Sequence, residues 1–174
     1  MVRELNEWDQ SYMDITEVIA KNSKCEAKKV GCVIVKNQSI VSTGVNGTPA
    51  GYVNCNDLFC RRSYGWMSAL TPNEGRSTTN INGVKYWLSK DQEIHHKWSN
   101  KYEIHAEINA LNKMIKNGIS SEDCTLYCNF SPCIQCCKSI ISAGIKEVVF
   151  LYGYDDVSET TSFLLDNDVM VYKI

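Results

Sequence analysis

Hydrophobic residues recur at helical spacing in two parts of the chain. Between residues 7 and 21 they stand three or four positions apart, at Trp8, Tyr12, Ile15, Val18 and Ile19. This spacing predicts an amphipathic helix whose apolar face packs on another element. A second helix is predicted from about residue 104 to Gly118, because glycine often caps the C-terminal end of a helix.

Two runs of β-branched residues follow the first helix and predict a β-hairpin. The runs read VGCVIV and SIVSTG, and only KNQ separates them, so Asn37 is expected in the turn. In the C-terminal half, the apolar runs CTLYCNF, KEVVFLYG and DVMVYKI predict three more strands.

Helices are predicted between these three strands. The segment CIQCCKSIISA follows Ser131 and Pro132, which suit an N-cap and a first helical residue, and it ends at Gly144. Residues 157–166 predict a last helix. Because strands alternate with helices, and parallel strands need crossover helices, the pattern predicts an α/β fold with a partly parallel sheet between helices.

Residues 51–100 interrupt this alternation. The segment is rich in Gly, Ser, Thr and Asn around TPNEGRSTTNING and shows no sustained period, which indicates a long insertion. Loops of this length usually carry function or are disordered. We therefore expect one domain over residues 1–174 with an inserted segment at about 51–100.

Composition narrows the class of protein. A chain of 174 residues that is 44% hydrophobic and 22% charged fits one globular domain. No apolar run approaches the roughly 20 residues that span a bilayer, and the polar N-terminus does not resemble a signal peptide, so we expect a cytoplasmic protein. A net charge of −2 and a pI of about 5.9 argue against polynucleotide binding but allow a small anionic ligand.

The cysteines point to metal chemistry. There are 9 of them beside 3 histidines, and this odd number without a signal peptide argues against a disulfide framework. We expect reduced thiols, some of them bound to metal.

Two motifs supply a candidate catalytic zinc site. HAE at 105–107 and SPCIQCC at 131–137 both open helices, where the partial positive charge of the N-terminus favours thiolates. Cys133 and Cys136 share one helical face and, with His105, give the three protein ligands typical of a catalytic zinc. Glu107 is the candidate proton shuttle beside the metal, because zinc lowers the pKa of a bound water from about 16 to about 7.

A closed structural site is the alternative. C-x-x-C alone is often structural or redox-active, and Cys124 and Cys128 could complete a four-cysteine site. Against this, these two cysteines share a strand face with Leu126, which suits buried thiols that behave as small hydrophobic residues. Cys137 faces another way on its helix and is expected in the core.

The motif pair resembles a known family. H-x-E followed by P-C-x-x-C, with a strand between them, is the established signature of the zinc deaminases of the cytidine deaminase superfamily. GVNGTPAG at 44–51 narrows the resemblance to the deoxycytidylate (dCMP) deaminase family, of the kind found in bacteriophages as well as in cells. The resemblance runs from about Ser23 to about Asp155. It implies a three-layer α/β/α sandwich around a mixed, mostly five-stranded sheet.

The resemblance also implies an activity, namely hydrolytic deamination of dCMP to dUMP and ammonia, which supplies dUMP for thymidylate synthesis. Glu107 would protonate N3 of the base and then carry a proton to the departing amine. The Ala106 N–H and the Ser131 carbonyl would hold the base edge, Asn46 would contact the sugar, and Tyr154 would lie against the substrate. Two alternatives stand beside these roles: Asn46 could only shape a turn, and Tyr154 could be rim packing.

A second, structural zinc is implied by the resemblance to phage-type members. Its ligands would be Cys25, Cys55, His95 and Glu103, with the inserted segment folded around them. Spacing gives partial support, because Glu103 and His105 are two residues apart and should point in roughly opposite directions. His96 competes with His95 and Cys60 with Cys55, and the two thiols could also be free.

The expected partners follow from the same resemblance. They are the substrate dCMP, the effectors dCTP and dTTP, and other copies of the chain, since relatives commonly form hexamers. Six cations are candidates for the 5′-phosphate: Lys24, Lys28, Lys29, Arg61, Arg62 and Lys116. A polynucleotide deaminase and a non-catalytic zinc-binding protein are the alternative functions. The acidic pI speaks against the first of these and the unliganded Glu107 against the second.

Overall fold

The computed structural model describes residues 3–62, 65–70, 78–81, 83–89, 93–153 and 157–174. In these residues the elements are, in chain order, α1 (Glu7–Ala20), β1 (Gly31–Lys36), β2 (Ser39–Val45), α2 (Cys55–Leu58), β3 (Phe59–Arg62), β4 (Gly65–Ser68), β5 (Thr78–Ile81), β6 (Val84–Ser89), α3 (Glu93–Tyr102), α4 (Ala106–Lys116), β7 (Thr125–Phe130), α5 (Ile134–Ser142), β8 (Glu147–Tyr152), α6 (Ser158–Leu165) and β9 (Met170–Lys173). No helix of the described part combines the length and apolar character that crossing a membrane requires.

The chain packs into two compact units. The first, here called the core unit, comprises Met1–Ser23, Lys29–Asn46 and His105–Ile174. The second, the inserted unit, comprises Lys24–Lys28 and Gly47–Ile104. The expectation of a single domain with an insertion stays a prediction.

A mixed five-stranded sheet forms the centre of the core unit. The strand order is β2-β1-β7-β8-β9, with β1 antiparallel to both β2 and β7 and with β7, β8 and β9 parallel. The expected mixed sheet is therefore confirmed. The parallel strands are joined by α5 and α6, as crossover connections require.

The alternation of side chains along the strands builds one layer of helices on each face of this sheet. On β1, Cys32 and Ile34 belong to the apolar core that α4, α5 and α6 cover. Val33 and Val35 belong to the other core, which contains Tyr12 and other residues of α1. The three-layer α/β/α arrangement expected from the sequence is confirmed.

Local sequence signals explain where α1 begins and where the hairpin turns. Asn6 is the N-cap of α1 and accepts a hydrogen bond from the Trp8 N–H at 2.9 Å, while Asp9 completes a capping box. Asn37 and Gln38 adopt positive φ of 48° and 60° between β1 and β2, as a tight two-residue hairpin turn requires. The predicted hairpin is confirmed.

The start of α5 differs from the prediction. Cys133, with extended φ −76° and ψ 165°, is the N-cap, and the helix begins at Ile134. The prediction that Ser131 is the N-cap and Pro132 the first helical residue was wrong. The Ser131 N–H instead donates to the Tyr152 carbonyl at 2.8 Å, which continues the pairing of β7 with β8.

The inserted unit has a sheet that the sequence did not predict. Its four antiparallel strands lie in the order β3-β4-β6-β5. Its apolar core contains Phe59, Trp66 and Trp98 together with Cys25 and Cys55. The longer segment of this unit, Gly47–Ile104, begins and ends at an isolated β-bridge, in which Gly47 and Ile104 exchange backbone hydrogen bonds of 3.1 and 2.8 Å.

Candidate active site and second metal centre

Two groups of thiols and imidazoles lie in the described residues, one in each unit. The core unit brings together His105, Cys133 and Cys136, and the inserted unit brings together Cys25, Cys55 and His95. Within each group, the possible ligand atoms all lie within 4.8 Å of one another. The fold thus brings together all three ligands predicted for the first set and three of the four predicted for the second.

The first group stands where two helices begin. His105 is the N-cap of α4 and Cys133 the N-cap of α5. The Nδ1 atom of His105 lies 3.5 Å from Cys133 Sγ and 3.4 Å from Cys136 Sγ. In a tetrahedral zinc site, nitrogen and sulfur ligands are separated by about 3.6 Å. These residues therefore fit a zinc ion.

Solvent reaches this first group. His105 is exposed, Cys133 is half-buried and Cys136 is buried. Catalytic zinc sites keep a coordination position open for water or substrate, whereas structural sites are closed. The exposure of His105 agrees with a catalytic site.

The hydrogen bond between the two thiols of the first group shifts their pKa values in opposite directions. The hydrogen bond from Cys136 lowers the pKa of Cys133, and the bond to His105 lowers it further. The same thiol–thiol bond, together with burial, raises the pKa of Cys136. The pair thus already holds one thiolate easily, which is the form that binds zinc.

Glu107 lies beside the first group without joining it. It is in the first turn of α4 and only 4% exposed. Burial raises the pKa of its carboxyl, while His105 and a hydrogen bond with Cys136 lower it. A raised carboxyl pKa suits a group that must both accept and donate a proton near neutral pH.

A close contact between β2 and α4 fixes where His105 and Glu107 stand. A Cβ added to Gly44 would overlap the Ala106 carbonyl oxygen and lie 2.7 Å from the Ala110 nitrogen. The first turn of α4 therefore packs directly on the backbone of β2, and only glycine permits this approach.

The predicted base contacts lie at element ends of the core unit. Ala106 is the first residue of α4, so its N–H is one of the four that a helix leaves without an intrahelical acceptor. Ser131 is buried and follows the end of β7. Tyr154 lies outside the described residues.

Asn46, the predicted sugar contact, is tied to the segment before β1. Its Oδ1 accepts from the Val30 N–H at 2.9 Å, and its own N–H donates to the Val30 carbonyl at 3.1 Å. Asn46 is not among the described residues with positive φ, so a left-handed turn does not explain it. Asn129, whose side chain holds the same segment, is not among the predicted site residues; a polar residue inside the apolar run CTLYCNF was the available signal.

The second group is closed. Cys25, Cys55 and His95 are all buried, and His95 Nε2 lies 3.8 Å from Cys25 Sγ and 3.3 Å from Cys55 Sγ. The thiol–thiol hydrogen bond lowers the pKa of Cys25 and raises that of Cys55. These separations also bracket the value of about 3.6 Å for tetrahedral zinc.

Glu103 lies next to the second group but outside its tight cluster. Its Oε2 accepts from the Ser99 hydroxyl at 2.5 Å, whereas its Oε1 is buried without a hydrogen-bond partner in the described structure. Burial, together with the nearby Cys25 sulfur, raises the pKa of this carboxyl to about 7. A buried, unpartnered carboxylate oxygen beside two thiols and an imidazole suits a fourth zinc ligand.

The alternative ligands lie elsewhere. His96 is exposed and Cys60 half-buried, and neither belongs to the group around His95. Cys124 and Cys128 are fully buried in the apolar core under α4 and α5, so the described structure does not assemble a four-cysteine site.

The phosphate candidates are spread over both units. Lys24, Lys28 and Arg61 belong to the inserted unit, whereas Lys29 and Lys116 belong to the core unit. The Lys29 ammonium donates to the Ser23 carbonyl at 3.1 Å. The side chain of Arg62 lies outside the described residues.

Known proteins resemble this chain over most of its length. The deoxycytidylate deaminase of Enterobacteria phage T4 is 39% identical over 150 residues, which cover 82% of this chain and 77% of the phage protein. That of phage T2 is 37% identical over 150 residues and covers 82% and 79%. The crystal structure of dCMP deaminase from the cyanophage S-TIM5 in complex with dCMP and dUMP is 29% identical and covers 99% of this chain and 100% of that chain, with a TM-score of 0.69.

These comparisons establish both the fold and the family of the chain. The similarity to the cyanophage structure confirms the expected cytidine deaminase-like fold. The model for the cytidine and deoxycytidylate deaminase zinc-binding region matches residues 6–152, which include His105, Glu107, Cys133 and Cys136. The chain therefore belongs to the family of zinc-binding cytidine and deoxycytidylate deaminases.

Proposed function

We propose that the chain hydrolyses dCMP to dUMP and ammonia, and so supplies dUMP for thymidylate synthesis. The observation that carries the proposal is the position of buried Glu107 beside the open group of His105, Cys133 and Cys136. The substrate is taken from the phage relatives, which are named deoxycytidylate deaminases.

Glu107 moves the protons of this reaction. A zinc ion held by His105, Cys133 and Cys136 supplies Lewis acidity and makes water a nucleophile at neutral pH. Glu107 takes one proton from the attacking water and gives it to N3 of the base as the water oxygen bonds to C4. It then takes the second proton from that oxygen and gives it to the amine, which leaves as ammonia when the C4–N bond breaks. Burial raises the pKa of Glu107, which makes its carboxylate a stronger base toward the attacking water.

Four further residues orient the nucleotide. The Ala106 N–H, at the positive end of α4, donates to the base edge, and the Ser131 carbonyl accepts from it. Asn46 contacts the sugar, and Tyr154 lies against the bound substrate. The hydrogen bonds between Asn46 and Val30 support this role, since they hold the amide in one orientation.

The protein holds two zinc ions per chain, one catalytic and one structural. Cys25, Cys55, His95 and Glu103 bind the second ion, and the buried, unpartnered Oε1 of Glu103 supports its place in the set. The reduced thiols that these ligand sets use support a cytoplasmic location. Copies of the chain form a homo-oligomer of the hexameric kind, and dCTP and dTTP regulate it.

The test combines one variant with a panel of substrates. Wild type should deaminate dCMP with a higher kcat/KM than deoxycytidine, because charge-assisted bonds to the phosphate are strong, and it should not act on single-stranded DNA or tRNA. Glu107→Gln should keep its zinc and lose roughly 10²- to 10⁴-fold in kcat, because the amide cannot shuttle protons.

Other outcomes would indicate a different function or a different mechanism. Turnover of a polynucleotide without turnover of dCMP would identify a polynucleotide deaminase. Absence of any turnover with full zinc content would identify a zinc-binding protein. Near-normal rates in Glu107→Gln would refute the mechanism, and Glu122→Gln, which changes an exposed carboxylate of the core unit, is the control.

A further inference from the structure

Asn129 is a buried polar residue in an apolar strand. It is 5% exposed and follows Cys128, the last residue of β7 that pairs with β1. Its Oδ1 accepts from the Gly31 N–H at 3.0 Å, and its Nδ2 donates to the Lys29 carbonyl at 3.1 Å. A buried amide without such partners would destabilise the strand, so these two bonds account for its presence.

Asn46 holds the same short segment through its middle residue. Val30 donates to Asn46 Oδ1 at 2.9 Å and accepts from the Asn46 N–H at 3.1 Å. The Asn46 carbonyl in turn accepts from the Ser23 hydroxyl at 3.0 Å. Residues 29–31 therefore lie between two asparagines. The Lys29 carbonyl and the Gly31 N–H bind the Asn129 side chain, whereas the Val30 N–H between them binds the Asn46 side chain.

This arrangement couples the two asparagines mechanically. Asn129 fixes the positions of the Lys29 carbonyl and the Gly31 N–H, and Val30 between them then fixes Asn46 Oδ1. The bond from the Val30 N–H fixes which way the Asn46 amide points: Oδ1 faces Val30, and the donor Nδ2 is at the other end of the amide. The backbone pairing of β1 with β7 stops at Cys32 and Cys128, so it does not hold residues 29–31 itself.

We propose that Asn129 is a positioning residue for the nucleotide, acting through residues 29–31 on Asn46. This inference rests on the proposed function, in which Asn46 contacts the sugar. Asn129 sets the affinity for the substrate, and it neither touches the reacting atoms nor helps to hold the zinc.

Single variants give the first test. Asn129→Ala removes both hydrogen bonds and should raise KM for dCMP roughly tenfold, with a similar loss in dUMP affinity by calorimetry. Its kcat and zinc content should stay near the wild-type values. Asn129→Asp keeps the acceptor for Gly31 and loses the donor to Lys29, and it should also raise KM, which keeps the test valid if the alanine variant does not fold.

Tyr127→Phe is the matched control. It lies two residues earlier on the same face of β7, is also buried, and loses a hydrogen bond of 2.7 Å to Asp9 of α1. It should lower the melting temperature and leave KM unchanged. If Asn129→Ala lowers only the melting temperature, as this control does, the residue is structural and the inference is wrong.

A double-mutant cycle tests the route through Asn46. Asn46→Ala should raise KM, and adding Asn129→Ala should then have little further effect, because the residue being positioned is gone. Additive effects of the two changes on KM would overturn the inference while leaving dCMP deamination intact. Failure of the wild type to act on dCMP would overturn both proposals.

Discussion

Asp9 carries a dense set of polar contacts on α1. Its carboxylate accepts from both terminal nitrogens of Arg3 at 2.7 and 2.8 Å, from the Tyr127 hydroxyl at 2.7 Å and from the Asn6 N–H at 2.8 Å. Burial alone would raise the pKa of this carboxyl, but the hydrogen bonds outweigh burial and lower the pKa to about 2. Arg3 also bonds Glu147 at 2.9 Å, so the network ties the N-terminal segment to β8.

Asp9→Asn should destabilise the fold in a pH-dependent way. The folded pKa lies below the unfolded value of about 3.9, so the contribution of Asp9 is fully present above about pH 4 and is lost as the pH falls toward the folded pKa. We expect the variant to lose on the order of 2 kcal/mol of unfolding free energy near neutral pH. The difference from wild type should shrink below about pH 4, as measured by urea unfolding across the pH range.

Asp14→Asn provides the control for this prediction. Asp14 is an exposed carboxylate on the same helix, bonded to Gln10 at 2.8 Å. Its replacement should change stability by less than about 0.5 kcal/mol at any pH. A difference between wild type and Asp9→Asn that stays constant down to about pH 3 would show that the contacts, and not the charge, carry the effect.

The residues of the first metal group could be predicted because their signal is local. His105 and Glu107 lie within one motif, as do Cys133 and Cys136, and each motif opens a helix. The second set is scattered from Cys25 to Glu103, so spacing gave only partial support and the resemblance supplied the rest. Asn129 acts on backbone groups nearly a hundred positions away, and no pattern of residue types encodes that contact.

At the scale of elements, the packing of α4 on β2 controls the candidate active site. Gly44→Ala would place a Cβ against backbone atoms of Ala106 and Ala110, which cannot rotate away as a flexible side chain can. The first turn of α4 would have to shift, and His105 and Glu107 would shift with it.

We expect Gly44→Ala to lose about 3 kcal/mol of stability and roughly 10²-fold in kcat. Denaturant unfolding and steady-state kinetics measure the two effects. Asp9→Asn is the comparison, since it destabilises the opposite face of the sheet and should leave kcat unchanged. If Gly44→Ala keeps wild-type kcat while it is folded, α4 does not transmit the contact to the active site.

Elements with strong periodicity were predicted well, and the failures have physical reasons. The hairpin and the strands β7, β8 and β9 have apolar runs bounded by turn residues. The sheet of β3 to β6 was missed because β3, β4 and β5 have only 4 residues each, too few for an alternating pattern to stand out. The start of α5 was misplaced because Ser131 continues the sheet instead of capping the helix.

At the scale of the whole molecule, a change in one metal group should remove activity, whereas a change in the other should lower stability. Purified protein should contain two zinc ions per chain, and both Cys55→Ser and Cys133→Ser should contain one. Cys133→Ser should abolish turnover and keep most of the fold. Cys55→Ser should lower the melting temperature and speed proteolysis between residues 51 and 100, because a structural zinc contributes directly to folding.

Zinc content by mass spectrometry and melting curves decide this prediction. Cys60→Ser is the matched control, since its thiol lies in the inserted unit outside the metal group, and it should keep both ions. A single zinc in the wild type, unchanged in Cys55→Ser, would contradict the second site.

The bridge between Gly47 and Ile104 has an evolutionary consequence. Because these two residues hold the ends of the segment Gly47–Ile104 together, the chain between them is a loop that is already closed, and each doubling of a closed loop costs only about 0.6 kcal/mol. Residues can therefore be gained or lost inside this loop at little entropic penalty. The same paired ends are a suitable place to graft a foreign domain or to splice in a short turn. We expect descendants of this gene to differ in length here more readily than along β1 or β7.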